Sequence, residues 1–247
     1  MGAGGGRHGS GDAASTGTLT MPGSSTGEHT LTLYRQTTRD VRSSAGACML
    51  CRAGFPRIIV MPYVLTRGEV ATQLDAIHAR VTEVCAGLDA QQMNWRPEGG
   101  RRWSIAQCLD HLAKTTVEYG QRVEEAIDAA PELPERPEAH PGLAGRLLIW
   151  SIEPPSRIRV PTKASLRPPA TLEPAVVRRA FSDSLDYLSA LAAHALRVDA
   201  ARIRYRNPLI GDLRLFDVVT GVLVILAHNR RHIEQARRIR RHRDFPR

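Results

Sequence analysis

From Thr66 onward the chain repeats apolar residues at intervals of three and four. Val70, Leu74, Ile77, Val81, Val84 and Leu88 lie on one stripe of an amphipathic helix. Thr66 is its expected N-cap, with Glu69 completing a capping box. The run Asn94-Trp95-Arg96-Pro97-Glu98-Gly99-Gly100 then breaks the period with proline and glycine. Trp103 leads into a second helix capped by Ser104, with Ile105, Leu109, Leu112 and Thr116 on its apolar side. That helix runs to about Ala130, where Pro131 and Pro134 stop it. A third is expected from about Glu173 to Leu196, with Val177, Phe181, Leu185, Leu188 and Ala192 inward. The fourth, from about Leu213 to Arg241, is the most apolar in its first half.

Between the second and third helices, residues 131–173 hold nine prolines, which leaves room only for a short helix near Gly142–Ile152. A connection of that length belongs to a segment that crosses the bundle or carries function. No internal repeat and no strand pair is visible. The pattern predicts an all-α fold: a four-helix bundle with a long crossover between helices 2 and 3.

The first part of the chain has no such period. Gly2 to Gly27 is rich in Gly, Ser and Thr, and Leu31 to Val60 carries scattered apolar residues. Residues 1–60 are read as a disordered tail or a leader upstream of the natural start, with Met61 as an alternative first residue and 61–247 as the bundle domain. Cooperative unfolding of residues 61–247 alone is the test. Cys48-x-x-Cys51 within the tail has the spacing of a zinc half-site or redox pair, but neither a second pair nor a βαβ context accompanies it.

Composition changes this picture little. Apolar residues are 42% and charged residues 24% of the 247, as in an ordinary globular protein. Four cysteines do not make a disulfide scaffold, and the Gly/Ser/Thr/Ala-rich start has no apolar signal core; both point to the cytoplasm. The longest apolar run, Val218 to Ala227, is too short to span a bilayer. The net charge of +9 suggests a nucleic-acid partner, but residues 230–247 alone hold eight arginines against Glu234 and Asp244. A solvated arginine face at a helix end accounts for that run, and no recognition motif accompanies it.

Candidate chemistry lies with histidines. His228 and His232 are four residues apart in a strongly helical segment, on one face behind Gly221 and Val224. A neutral imidazole in apolar surroundings needs partners for its nitrogens, which a metal ion and a hydrogen-bond acceptor would supply. The pair alone is only suggestive, because buried, hydrogen-bonded histidines are common in cores. His111, mid-way along the second helix between Leu109 and Leu112, is the third candidate. Three histidines leave coordination positions open, as at catalytic ions. Imidazoles suit zinc, nickel, iron or copper alike. Cys108, one turn before His111, is either a fourth ligand or a small core residue, and Trp95 and Trp103 either pack the loop or line a pocket.

Trp103-Ser104-Ile105-Ala106-Gln107-Cys108-Leu109-Asp110-His111-Leu112 resembles the second-helix signature of the DinB-like superfamily, with a histidine eight residues after the tryptophan. Asn207-Pro208-Leu209-Ile210-Gly211 and His228-Asn229-Arg230-Arg231-His232-Ile233-Glu234-Gln235 are similar to that family's lead-in and fourth-helix histidine pair. The resemblance covers about residues 64–243. It implies the same bundle and a metal triad of His111, His228 and His232 holding one divalent transition metal, zinc or nickel first and iron next. It further implies a small-molecule substrate: relatives include thiol transferases and isomerases that use low-molecular-weight thiols. The leading expectation is a thiol S-transferase, in which the ion lowers the thiol's pKa. The alternatives are a hydrolase that activates water, or a non-catalytic metal-binding stress-response module, possible as a homodimer through an exposed bundle face. Asn229 stands where a zinc peptidase of the His-Glu-x-x-His type has its general base, which argues against peptidase chemistry. Glu118, two turns beyond His111, is the carboxylate a different hydrolase would use.

Overall fold

The computed structural model describes residues 63–155, 161–208, 211 and 213–247. The expected disordered segment at 1–60, Met61 and the Cys48–Cys51 pair lie outside them, as do Leu209 and Ile210. Among the described residues the chain forms α1 (Arg67–Cys85), the short α2 (Ala90–Asn94) and α3 (Pro97–Gly100), then α4 (Ile105–Asp128). α5 (Leu143–Ile152), a 3-10 turn at Ala164–Leu166, α6 (Pro174–Ala195) and α7 (Val218–Arg240) follow.

The four long helices are those expected from the apolar stripes. α4 packs against α6 and α7, and α1 packs against the same two, so α1 and α4 stand across the bundle's diagonal. The stripe residues of α1 from Val70 to Val84 are buried, and Leu88 packs partly buried against them. Ile105, Leu109, Leu112 and Thr116 of α4 are each at most 1% exposed, which fixes the face of α4 on which His111 travels.

Each of the four long helices begins where a side chain satisfies a free amide. Thr66 accepts from the Glu69 amide at 3.0 Å, but Glu69 turns to Gln73 and leaves the expected box half-made. Ser104 and Gln107 form a full box, which the sequence reading did not include. Glu173 caps α6, one residue before Pro174. α7 corrects its expected start. It begins at Val218, not near Leu213, because the Asp217 carboxylate accepts from the Thr220 amide at 2.7 Å and from its hydroxyl at 2.6 Å. Leu213 instead pairs with Asn207, and Asp217 with Arg204, as isolated antiparallel bridges. These bridges are isolated, and no strand forms among the described residues.

The described part of the crossover carries the expected short helix, α5. α5 lies along α7, close enough that a Cβ on Gly145 would clash with the Thr220 side chain. Arg230 of α7 binds Glu153, at the end of α5, through both carboxylate oxygens, and also reaches Gln73 of α1. Among the described residues no helix is long and apolar enough to cross a membrane.

Candidate metal centre

α4 and α7 bring the three expected histidines together. His111 comes from the buried face of α4, and His228 and His232 from successive turns of α7. Their ring centroids are 4.5 Å apart for His228–His232, 4.9 Å for His111–His232 and 5.2 Å for His111–His228. One nitrogen from each ring lies within 4.8 Å of the others. No other group of three His, Cys, Asp or Glu side chains among the described residues meets this condition.

The hydrogen bonds of His111 and His232 assign the tautomers of these two rings. His111 Nδ1 is 3.0 Å from the Leu166 carbonyl, which can only accept, so Nδ1 carries the proton and Nε2 keeps its lone pair. His232 Nδ1 lies 2.9 Å from Gln235 Oε1, with the same consequence for its Nε2. A histidine that donates from one nitrogen and offers the other is the usual arrangement of a metal ligand. Trp103 closes one side of the cluster, stacked on His232 at 5.7 Å and tilted against His111 at 4.8 Å.

Electrostatics hold all three rings neutral. Burial pushes His228 well below the usual imidazole value, and the other two histidines and Arg231 add to the effect. Burial likewise takes His232 down to about 3, helped by His111 and Arg231 and opposed by the Gln235 bond. His111 is lowered by burial too, against the pull of the Leu166 carbonyl. Neutral imidazoles are the form that donates a lone pair.

The cluster ends a cavity of about 100 Å³, walled by Thr115, Tyr119, Ile152, Leu166, Val224 and Ile225, with Lys163 and Arg231 at its edge. His228 keeps a little surface open to it. No carboxylate lines it among the described residues. Glu118 is not among its lining residues and pairs with Lys163 at 3.4 Å. Cys108 is fully buried in the core, where desolvation raises its thiol far above the usual range, and it does not line the cavity. Trp95 packs against His242 and Phe245 of the C-terminal tail, away from the cluster. Asn229 is also buried, donating to the Ile225 carbonyl at 2.9 Å. Asn207 forms its bridge ahead of α7 and donates to the Tyr205 hydroxyl, outside the cavity.

Sequence reasoning did not find Leu166, Gln235's role, Thr115, Tyr119, Lys163 or Arg231. Gln235 is the exception that had a signal, three residues after His232 on the same helix face.

A helical bundle with a buried three-histidine cluster at one end of an apolar cavity defines the class of protein. The chain belongs to the DinB superfamily, whose sequence model matches residues 73–236. Neither curated proteins nor solved structures gave a match.

Proposed function

We propose that this chain is a metal-dependent enzyme, a thiol S-transferase, in which His111, His228 and His232 hold one divalent transition-metal ion, zinc or nickel first and iron next. The observation that carries the reading is the meeting of three neutral imidazoles from two helices, two of them with Nδ1 already donating and Nε2 left unprotonated. The nitrogens lie within 4.8 Å of one another, whereas three ligands at about 2.0–2.1 Å from one tetrahedral zinc stand about 3.3–3.4 Å apart, so the rings draw inward when they take up an ion. The chemistry of the donor set, three neutral imidazoles, fits such an ion. A bound ion of this kind lowers the pKa of a thiol and holds it as the nucleophilic thiolate.

The chain's own groups favour transfer over hydrolysis. In the transfer, the thiol loses its proton to solvent, its sulfur forms a bond to an electrophilic carbon of the second substrate, and the leaving group departs with the bonding electrons. Such a step needs no protein base, and no carboxylate lines the cavity among the described residues. Hydrolysis with an activated water does call for one, yet Glu118 is turned to Lys163 and Asn229 cannot accept a proton. Apolar walls from Ile152, Leu166, Val224 and Ile225 keep water away from the reacting sulfur.

The test is elemental analysis of protein purified without a histidine tag, together with turnover of an electrophile by common cellular thiols. One equivalent of metal, lost in His228→Ala, and thiol-dependent turnover are expected. Full occupancy in the variant contradicts the site. A metal-loaded protein that turns over no electrophile with any common thiol contradicts the reaction.

A further inference from the structure

The wall of the histidine cavity carries one hydroxyl that the fold does not use. Besides the rings, the side-chain donors that line it are Thr115, Tyr119, Thr162, Lys163 and Arg231. Four of these have other company. The Thr115 hydroxyl lies 3.4 Å from His111 Nδ1, Lys163 pairs with Glu118, and Arg231 is engaged as well. Thr162 is only partly buried, so water can reach it. Tyr119 is 5% exposed, yet its hydroxyl makes no hydrogen bond among the described residues. Two other tyrosines show the usual arrangement: Tyr187 donates to Glu124 at 2.9 Å, and Tyr205 accepts from Asn207 at 3.0 Å. The Tyr119 hydroxyl is not sealed off within the core. Burial, with Tyr205 and Glu118 adding to it, raises the phenol well above its usual range, so it keeps its proton and remains a donor. A donor left without a partner in apolar surroundings is costly, and a ligand or water is what completes it.

Its position suits a reacting molecule. His111, Thr115 and Tyr119 follow one another at four-residue intervals on one buried face of α4. Tyr119 therefore stands about two turns, ~12 Å of helix, beyond the histidine end. In a displacement the bond that breaks points away from the attacking sulfur, so the leaving atom is driven toward the Tyr119 end. Volume limits what lies between. A cavity of about 150 Å³ takes one benzene, so this one of about 100 Å³ takes roughly four non-hydrogen atoms.

We propose that the leaving atom of the second substrate is an oxygen, as in an epoxide, and that the Tyr119 hydroxyl is the hydrogen-bond donor that holds it. The attacking sulfur rests on the transferase reading above; the donor's place rests on the cavity alone. The sulfur–carbon bond forms as the carbon–oxygen bond breaks. The oxygen keeps the bonding pair, and solvent, which received the thiol's proton, returns one to it. An O–H donor stabilises charge concentrated on oxygen more than charge spread over a large halide. That charge is greater in the transition state than in the bound epoxide, so the bond lowers the barrier.

Two measurements test this, one of them without metal or turnover. In chelator-treated protein, ligand-observed NMR compares acetone with isobutene, which share a shape but differ in the acceptor oxygen. The ratio of acetone to isobutene affinity is expected to fall about fivefold or more in Tyr119→Phe, the range of one hydrogen bond. With metal and 2-mercaptoethanol, turnover of propylene oxide relative to 1-iodopropane should fall about tenfold or more in the same variant. The variant should melt no lower than the parent protein, because no protein partner is lost. A clear fall in melting temperature would give the hydroxyl to the fold and overturn the proposal. So would an unchanged affinity ratio, or a parent protein that binds neither probe. An affinity ratio that falls while the turnover ratio holds overturns the leaving oxygen, as does a parent protein that turns over 1-iodopropane but not propylene oxide. If neither electrophile is turned over, the transferase reading is what fails, and the affinity ratio still decides whether Tyr119 is a ligand-binding donor.

Discussion

Gln235 is a residue whose importance shows only in contact with its neighbour. Its Oε1 accepts from His232 Nδ1 at 2.9 Å and so fixes which nitrogen of that ring faces the cluster. Gln235→Leu removes the acceptor but keeps the side chain's length and the helix. Loss of such a supporting partner costs about 10–100-fold in metal affinity. Competition with a chromophoric chelator measures it, and an unchanged affinity would show that His232 needs no such orientation. At this scale the three histidines were legible because spacing along a helix dictates a shared face and the family motif named the third. The Leu166 carbonyl was not legible, since a backbone group from an aperiodic, proline-rich crossover leaves no mark in the residue identities. Lys163 and Thr162 come from the same segment and were hidden for the same reason.

At the scale of elements, apolar period and capping chemistry located every long helix, and one boundary shows where such reading ends. Leu213, Leu215 and Phe216 resemble the beginning of the α7 stripe, but Leu213 and Leu215 are exposed and the helix waits for Asp217. An apolar alternation ahead of a helix is ambiguous until the cap and the pairing partner are known. Two glycines test the packing that follows. Gly221 of α7 lets the helix approach α4, where a Cβ would come within 2.5 Å of Val123 Cγ2 and 3.2 Å of Tyr205 Cε1. Gly221→Ala is expected to destabilise by about 1–3 kcal/mol, the usual cost of overpacking. Gly68, near the start of α1, has nothing within 4 Å of its would-be Cβ. Gly68→Ala is expected to stabilise by about 0.5–1 kcal/mol through helix propensity alone. Urea denaturation of the two variants reads both; similar effects at the two sites would refute the close approach of α7 to α4.

For the molecule as a whole, the histidine cluster couples folding to metal and to pH. An ion bound by the folded chain alone stabilises it by mass action, about 2.7 kcal/mol at a hundred times the dissociation constant. Zinc should therefore raise the melting temperature of the parent protein and leave His228→Ala unmoved. Without metal, the same cluster becomes an acid-sensitive element. His111, His228 and His232 all have folded values below the unfolded 6.5, with burial as the first cause in each case. The unfolded chain then binds more protons than the folded one as pH drops below about 6.5, and stability falls with it. The contribution is complete above pH 6.5 and is lost progressively as the pH approaches the folded value, about 3 for His232. At about 1.36 kcal/mol per unit, His232 alone accounts for ~2–3 kcal/mol between pH 6.5 and 4.5. Chelator-treated protein melted across that range should show the decline, and His232→Asn should make it shallower, with His111 and His228 supplying the rest. A metal-free protein equally stable at both ends would mean that the rings open to water when the ion is removed, and that the ion itself holds the cluster together.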